Sequence, residues 1–434
     1  MAEHVATRIR EGGTLMGNTQ DLAVVLDIGS AGVRMLIGAF NEGQPQVEIV
    51  GGHCVPANGI RNGTIYNLED VQRSVMDCVT QLEQSQGALV HEVIVSISSE
   101  RLRFHRHSYR LKVGDSAQGK REIIIKQEHV DRLYQRIREQ FIEPDSEPLH
   151  FHEQLFSLDE GGQVKQPTGL SSVVLAGSLA GQYYPASILA NLKKVVERSG
   201  LIMRSTVSAG LASALAVLNE DEKELGVLLI DIGADMTDLI AFQHGRVLYA
   251  VNMVLGAHRI TRDIAEALRV DVSTAEQIKR NFGGLIADAE ETRQEQIEYT
   301  DFRNTACSVG TTEVRQIVQP RVEEMLQQIK QQVENELLIG GLGGGIVLTG
   351  GGSRLQGFEQ AVSNLFGKPA RCGRPLGFIN AESYSSANAT TLGLLRWQTD
   401  PSRYQLYERE PRRLQRWLRG LQKRTIKKVD RILH

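Results

Sequence analysis

A strand that ends in Asp-x-Gly occurs twice in this chain, about 200 residues apart, and this repeat constrains the fold most. The apolar run Leu22–Leu26 leads into Asp27-Ile-Gly29, and Gly226–Ile230 leads into Asp231-Ile-Gly233. Each copy continues with two further strand patterns and a helical pattern. The repeat predicts a duplicated α/β fold in which two lobes, each a mixed sheet flanked by helices, face each other across a ligand cleft.

The first Asp-x-Gly turn carries groups that suit a phosphate anion. Gly29 lets backbone N–H groups approach an anion closely, and the Ser30 hydroxyl adds a donor. Asp27, at the end of the strand, is placed to hold Mg²⁺ through water. A plain β-hairpin turn explains this segment equally well when it is taken alone.

The second turn repeats this arrangement. Asp231 and Gly233 supply the carboxylate and the glycine again, and Thr237 follows as a further candidate ligand. Two such turns that face each other would hold a phosphate chain from both sides, with one Asp from each turn for the metal ion. The repeat therefore favours a phosphate site over two unrelated hairpins.

A third segment, residues 343–353, is an apolar strand that runs into consecutive glycines. Gly350, Gly351 and Gly352 have no side chains, so a flat base could lie against their backbone. The alternative interpretation is a flexible loop. A strand that leads directly into three glycines favours close approach of a ligand.

In this order, the three segments resemble the phosphate-1, phosphate-2 and adenosine motifs of the actin/Hsp70/sugar-kinase superfamily, and the chain most resembles the FtsA family of bacterial cell-division proteins. The resemblance extends from about Leu22 to Trp397 and includes the tail. Other stretches that carry it are Asn58-Gly-Ile60, Asn67–Asp70, Pro167–Ser171, Ala209–Ser213 and Thr349–Ser353. It implies an actin-like (ribonuclease H-like) two-lobe α/β fold with a small domain inserted in the first lobe, and ATP and Mg²⁺ as cofactors.

The predicted division of the chain follows the two copies. A segment that is richer in charge, 100–181, interrupts the first copy and is predicted to be the inserted domain. The other predicted parts are a disordered extension at 1–20, the first-lobe core at 21–99, 182–205 and 375–398, the second-lobe core at 206–256 and 345–374, a helical cap at 257–344, a linker at 399–411 and an amphipathic membrane-targeting helix at 412–434.

Two further features concern the nucleotide. Glu276 and Lys279 are spaced to share a helix face, and the resemblance implies that they reach the ribose, although spacing alone favours a surface ion pair. The second turn departs from the family pattern Asp-x-Gly-Gly-Gly-Thr-x-Asp, because Ala234, Asp235 and Met236 stand at its Gly, Gly and Thr positions. A carboxylate beside phosphates repels them unless it faces away or shares the metal ion. We therefore expect ATP binding with weak or absent hydrolysis.

The tail differs in charge from the rest of the chain. Residues 401–434 contain eleven Lys or Arg and three Asp or Glu, whereas the first 400 residues contain 38 basic and 49 acidic side chains. This asymmetry indicates an anionic partner for the tail, either membrane lipid or nucleic acid. One face of the predicted helix is apolar and consists of Leu414, Trp417, Leu418 and Leu421. The opposite face is basic and consists of Arg412, Arg416, Arg419, Lys423 and Lys427. The pattern favours a helix in the interface of an anionic membrane over a nucleic-acid-binding arm.

The resemblance also implies partners and a location. The stretch Ile317–Arg321 resembles the cap segment beside the groove for the C-terminal peptide of the tubulin-like division protein FtsZ, and the Arg321 guanidinium suits carboxylates of that peptide. The alternative is that Arg321 stabilises its own helix. The implied function is a polymerising anchor that holds FtsZ on the cytoplasmic face of the inner membrane at the division septum and helps recruit later division proteins.

Two other protein classes stay open: a sugar kinase or phosphatase of the same superfamily, and a pilus-platform actin homologue. The first leaves the basic tail unexplained, and the second lacks such a tail. A chaperone of the Hsp70 type is disfavoured, since no peptide-binding domain is expected after the lobes.

The sequence gives no sign of a zinc site, a disulfide framework or a membrane-spanning helix. None of the four cysteines has a CxxC partner, and the two His-x-His pairs, at 105–107 and 150–152, are interpreted as ordinary surface or partly buried histidines. No apolar run approaches the roughly 20 residues of a spanning helix. The polar N-terminus is not expected to be a signal peptide.

Overall fold

The structure, a computed structural model, describes residues 21–41, 46–114, 123–140, 145–159, 161–285, 295–336 and 339–399. The predicted N-terminal extension, all but the first residue of the linker and the predicted membrane-targeting helix lie outside these residues. Within them, no helix is long and apolar enough to cross a membrane.

The first lobe contains a six-stranded sheet. Its strands are β1 (Asp21–Gly29), β2 (Gly32–Phe40), β3 (Val47–Val55), β6 (Glu92–Ile97), β14 (Ile202–Ser208) and β22 (Phe378–Ile379). Their order across the sheet is β14-β6-β1-β2-β3-β22. The helices of this lobe are α1 (Leu68–Gln86), α3 (Ala186–Arg198), α4 (Ala209–Val217) and α10 (Ala389–Thr399), and a short hairpin joins β4 (Ile60–Arg61) to β5 (Thr64–Ile65).

Helix α1 shows how local sequence fixes an element. The Asn67 side chain accepts hydrogen bonds from the backbone N–H groups of Glu69 and Asp70 and thereby caps the helix. Gly87, with φ of 64°, ends it in the left-handed conformation that glycine adopts without strain. Between these two ends, Val71, Val75, Val79 and Leu82 recur at helical spacing and are buried, as expected for a helix that covers a sheet.

The inserted domain lies between β6 and α3 in the chain. Its main sheet contains β7 (Arg103–Lys112), β9 (Ser146–Glu153), β10 (Phe156–Leu158), β11 (Gln163–Val164) and β13 (Val174–Pro185). Strands β11, β10, β13 and β7 follow in that order, and β9 also pairs with β13. The short strands β8 (Ile123–Ile124) and β12 (Ser171–Ser172) pair with each other. Helix α2 (Gln127–Arg138) buries its apolar face on a separate small core.

The second lobe repeats the strand pattern of the first. Its strands are β15 (Val227–Ile232), β16 (Thr237–Gln243), β17 (Arg246–Met253), β20 (Ile346–Thr349) and β21 (Ala370–Cys372), in the order β17-β16-β15-β20-β21. The remaining elements are α5 (Glu220–Leu225), α6 (His258–Leu268), α7 (Val272–Phe282), β18 (Gln296–Thr300), β19 (Ala306–Gly310), α8 (Thr311–Glu336) and α9 (Phe358–Phe366). Helices α6, α7 and α8 and the β18–β19 hairpin stand where the helical cap was predicted.

The duplication is visible in the pairing of the strands. In the first lobe β1 pairs antiparallel with β2 and parallel with β6, and in the second lobe β15 pairs antiparallel with β16 and parallel with β20. One hydrophobic core fills the first lobe and continues through α4 and α10 into the second sheet, and another lies under the cap. The predicted duplicated two-lobe fold with an insertion in the first lobe is confirmed.

Candidate functional site

A cavity of about 650 Å³ lies between the two lobes, where β1, β15 and β20 end. Most residues singled out in the sequence line it: Asp27, Gly29, Ser30, Asp231, Gly233, Glu276, Lys279, Gly350, Gly351 and Gly352. A second cavity, of about 530 Å³, lies between the inserted domain and the second lobe and is lined by none of these residues. The candidate site is therefore the cleft between the lobes.

Asp27 is held in place by the strands of the first lobe. Strand β1 continues to Gly29, so the turn to β2 is shorter than the predicted turn and Asp27 is paired opposite Arg34. The Asp27 carboxylate accepts a hydrogen bond from the Ser96 hydroxyl at 2.6 Å and lies 3.5 Å from the Arg34 guanidinium. It is mostly buried at the mouth of the cleft, where a cation could approach it.

Two more carboxylates face the cavity from the second lobe. The pKa of Asp231 is raised to about 6, mainly by burial and also by the nearby Asp27, against the opposing effect of hydrogen bonds from the Ser213 and Thr390 hydroxyls. Burial, and then the charge of Asp231, also raise the pKa of Asp238 well above its usual value. Ser98 of the first lobe donates a 2.6 Å hydrogen bond to Asp238. Three carboxyl groups at one cavity favour the binding of a cation there.

The raised pKa of Asp231 predicts how the stability of the folded protein changes with pH. The unfolded chain ionises this carboxyl near pH 3.8 and the folded chain near pH 6, so the folded state loses stability as the pH rises between these values. We expect Asp231→Asn to stabilise the protein by roughly 1–2 kcal/mol at pH 7 in the absence of metal and nucleotide, and by little at pH 4. Thermal unfolding in chelator at both pH values measures this. An equal effect at pH 4 and pH 7 would contradict the account.

The three glycines after β20 differ in their surroundings. Gly350 has a φ of 80°, and a Cβ there would lie 2.3 Å from the Ile232 carbonyl oxygen. A Cβ at Gly352 would lie 2.4 Å from the Ile232 side chain, whereas a Cβ at Gly351 would meet nothing within 4 Å. Gly350 and Gly352 are therefore required by the packing of the chain itself, and Gly351 offers bare backbone to the cavity.

Glu276 and Lys279 share a face of α7 and both reach the cavity. Lys279 is buried, and its Nζ lies 2.6 Å from the Glu276 carboxylate and 2.8 Å from the Thr261 hydroxyl. Burial alone would raise the pKa of Glu276, but hydrogen bonds from Lys279 and Thr261 outweigh it and lower the pKa to about 2. The pair joins α7 to α6 and presents an ionised carboxylate edge to the cavity.

Thr237 does not line the cavity, which corrects its place among the candidate ligands. Its side chain is fully buried, and its hydroxyl donates to the Leu255 carbonyl. The register of the hairpin explains this result, because Asp231 pairs with Asp238 and these two side chains share a face, while Thr237 pairs with Ile232 on the other face. Asp238 is the residue that the sequence reasoning missed, and the alternation of strand residues could have found it.

The Asp235 carboxylate faces away from the main cavity. It accepts a hydrogen bond from the Asn62 backbone N–H at 2.9 Å and lies 2.9 Å from Nδ1 of His258, beside a smaller pocket of about 100 Å³. Met236 does line the main cavity, at the position where the family pattern has Thr. In this orientation the Asp235 carboxylate would not face phosphates held in the main cavity, whereas Met236 offers no hydroxyl to them.

Arg321 lies on α8 and is engaged by two carboxylates. Its Nε lies 2.6 Å from Asp263 of α6, and its Nη1 contacts Glu324 one turn along α8. Its Nη2 also donates to Asp263, at 3.1 Å, and the side chain is 29% exposed. The geometry gives Arg321 a structural role in the cap, where it joins α8 to α6.

The His150/His152 pair is buried, and Nε2 of each ring contacts a neighbouring polar group. Nε2 of His150 accepts the Ser208 backbone N–H at 3.0 Å, and Nε2 of His152 lies 3.0 Å from the Gln182 amide nitrogen. Burial lowers the pKa of His152 to about 3, and burial together with His152 lowers the pKa of His150. Across the described ranges, no group of three or more His, Cys, Asp or Glu side chains could hold a metal ion directly.

Comparison with known families decides the identity of the fold. A family model described as "Cell division protein FtsA" matches residues 228–393, and a model described as "SHS2 domain inserted in FTSA" matches residues 101–180. The chain belongs to the FtsA family. The second match covers the inserted domain. It therefore points to the FtsA family in particular and not only to the actin-like superfamily. The family supports a role in cell division for this actin-like chain.

Curated FtsA-family proteins match most of the chain. The cell division protein FtsA of Pseudomonas aeruginosa is 28% identical over 354 residues, which are 82% of this chain and 83% of that protein. FtsA of Borreliella burgdorferi is 27% identical and covers 89% of this chain and 93% of its own length. FtsA of Escherichia coli is 27% identical, with coverages of 87% and 90%.

Solved structures agree on the fold. The PilM–PilN type IV pilus biogenesis complex contains a chain with a TM-score of 0.56 at 16% identity, covering 86% of this chain and 97% of that chain. MreB5 of Spiroplasma citri bound to ADP has a TM-score of 0.52 at 15% identity, covering 88% and 97%. At these identities the likeness shows the shared actin-like fold alone.

Proposed function

We propose that this chain binds ATP with Mg²⁺ in the cleft between its lobes and anchors FtsZ filaments to the cytoplasmic face of the inner membrane at the division septum. It also polymerises and helps to recruit later division proteins. One observation supports nucleotide binding: the two Asp-x-Gly turns and the glycine run all line the same cavity. Membership of the FtsA family carries the role in division.

The residues present fit a nucleotide. The backbone of the Gly29–Ser30 turn would donate to phosphate oxygens, and the turn at Gly233, which has no side chain, would let them approach closely from the second lobe. Bare backbone at Gly351 leaves room for the base. The carboxylates of Asp27 and Asp231 would hold Mg²⁺ through water, and Mg²⁺ would offset the negative charge of Asp231 and of the phosphates. Glu276 would accept hydrogen bonds from the ribose.

Hydrolysis is proposed to be weak or absent. A phosphoryl transfer site must position an attacking water and offer donors to the phosphate in the transition state. At the second turn the family pattern has a Thr hydroxyl, and this chain has the Met236 thioether on the cavity wall. The nucleotide would then act as a ligand that favours one lobe arrangement and one polymer contact.

The membrane part rests on the sequence of the tail. Leu414, Trp417, Leu418 and Leu421 form an apolar stripe opposite a basic face, which is typical of a helix that lies in an anionic membrane interface. These residues lie outside the described part of the chain. Polymerisation would bring several tails to one membrane and multiply a weak attachment.

The FtsZ peptide is proposed to bind beside Arg321, and the Asp263 contact supplies a matched pair of variants. Arg321→Gln should weaken binding of a synthetic FtsZ C-terminal peptide by about tenfold, because it removes a charged donor. Asp263→Asn should preserve or strengthen peptide binding, because it releases the guanidinium from its partner. Fluorescence anisotropy of the labelled peptide measures both.

Thermal unfolding of the same two variants separates this proposal from the structural alternative. If Arg321 only stabilises the cap, both variants should lower stability to a similar extent and affect peptide binding alike. A loss of peptide binding in Asp263→Asn equal to that in Arg321→Gln would contradict the proposal.

Reconstitution on supported anionic bilayers tests the complete function. Labelled FtsZ filaments should collect on the bilayer only when this protein and ATP with Mg²⁺ are present. Bilayers of neutral phosphatidylcholine provide the control for the lipid charge. If the protein binds the bilayer and FtsZ filaments still remain in solution, the anchoring role is wrong.

A further inference from the structure

Asp235 sits at a junction of the two lobes. Its Oδ2 accepts the backbone N–H of Asn62 from the first lobe, and its Oδ1 lies 2.9 Å from Nδ1 of His258 in the second lobe. The Ser30 hydroxyl, from the first Asp-x-Gly turn, also hydrogen-bonds this carboxylate. We call these four residues the Asp235 bridge. Asp235 is 8% exposed, so its interactions are largely shielded from water.

The first-lobe side of the bridge is a tight turn that aims a donor at the carboxylate. Asn62 and Gly63 connect β4 to β5 and have φ values of 51° and 67°, as in the Asn-Gly turns of two-residue hairpins. A Cβ at Gly63 would lie 2.5 Å from the Ser98 carbonyl oxygen, so the turn packs closely on its own lobe. The N–H of Asn62 is therefore held in position before Asp235 meets it.

The carboxylate of the bridge is ionised in the folded protein. Burial acts to raise its pKa, but hydrogen bonds from His258, Asn62 and Ser30 outweigh burial and lower the pKa to about 2. The donors that surround Asp235 come from both lobes and include one of the two phosphate turns. They are the kind of donors that hold a phosphate anion elsewhere.

Other contacts between the lobes do not depend on Asp235. Ser98 donates to Asp238 at 2.6 Å, Arg106 of the inserted domain donates to the Leu248 carbonyl at 2.9 Å, and Lys165 pairs with Glu224 at 2.7 Å. These contacts would keep the lobes together in a variant that lacks the bridge. Loss of Asp235 is therefore expected to act locally.

We propose that Asp235 is a built-in anion that ties the two lobes together at the phosphate end of the cleft, so that this end is closed before a nucleotide binds. The family pattern has glycine at this position, where no side chain could make the bridge. The inference rests on the proposed function only in treating the cleft as the nucleotide site. It predicts that nucleotide binding changes this junction little in the native chain and more in a variant without the carboxylate.

Hydrogen exchange of the purified full-length protein without nucleotide tests the bridge directly. Asp235→Ala should speed exchange of the Asn62 amide, followed in a peptide spanning 58–66, by roughly tenfold, because the amide loses a charged acceptor. Asp235→Asn, which keeps the shape, should give a smaller increase. Asp221→Ala, at an exposed position of α5, is the matched control and should leave this peptide unchanged. Unaltered exchange of the Asn62 amide in Asp235→Ala would overturn the inference.

A second arm with ATP and Mg²⁺ separates this inference from the proposed function. In Asp235→Ala, nucleotide should slow exchange of the 58–66 peptide, whereas in the native chain it should change exchange there by less. A larger nucleotide effect in the native chain than in the variant would overturn the inference. If ATP changes exchange nowhere in the cleft while the first arm succeeds, the nucleotide site is wrong and the bridge stands.

Discussion

Removal of residues 412–434 is expected to abolish binding of the purified protein to anionic vesicles. In the proposed helix, three leucines and Trp417 enter the interface, and each such side chain contributes roughly 1.5–3 kcal/mol at most when fully buried. Each basic residue near an anionic surface adds about 1 kcal/mol. The sum gives reversible attachment that depends on salt. Flotation with vesicles measures the loss.

Point variants assign the attachment to the two faces of the helix. Trp417→Glu should release most of the protein into the soluble fraction, because it places a charge in the apolar stripe. Arg419→Ala should weaken binding only partly, since other basic residues remain. If the chain that ends at Pro411 still floats with anionic vesicles, the tail is not the anchor. A salt-dependent DNA shift assay would then test the nucleic-acid interpretation of its charge.

The folding stability of the protein should respond strongly to an alanine at Gly350 and hardly at all to an alanine at the neighbouring Gly351. Gly350→Ala is expected to cost about 2–4 kcal/mol of folding stability, because its positive φ disfavours a side chain and the methyl group would collide with the Ile232 carbonyl. Gly351→Ala should change stability by less than about 0.5 kcal/mol, since its methyl group meets open space. Urea unfolding measures both.

Nucleotide binding should be sensitive at Gly351 even though folding is not. A methyl group that projects into the cavity would obstruct the base and weaken ATP binding by about tenfold. Titration of a fluorescent ATP analogue gives the affinity. Equal affinities for the native chain and Gly351→Ala would show that the base does not lie against this backbone.

The sequence predicted the parts of the fold that depend on local patterns. The repeated Asp-x-Gly strands predicted the duplication and the place of the cleft. Thr237 was placed wrongly because a motif names residues without fixing their register. The pairing of Asp231 with Asp238, which depends on the length of the hairpin loop, decides which side chain faces the cavity.

Contacts between distant segments could not be predicted from one sequence. Asp235 meets Asn62 across 173 positions, and Arg321 meets Asp263 across 58. Both contacts depend on how the lobes and the cap pack. The local sequence around each residue contains no pattern that indicates its partner. The orientation of Asp235 in particular decides whether its charge opposes phosphate or joins the lobes.

Nucleotide binding in the cleft is the central claim, and thermal unfolding with ATP and Mg²⁺ tests it most directly. A ligand that binds only the folded state adds about 2.7 kcal/mol of stability at 100 times its dissociation constant. The account predicts that the unfolding midpoint of the native protein rises steadily with ATP concentration in the presence of Mg²⁺, and that the rise is much smaller in Gly351→Ala. An unfolding midpoint that does not change with ATP and Mg²⁺ up to saturating concentrations would contradict the account.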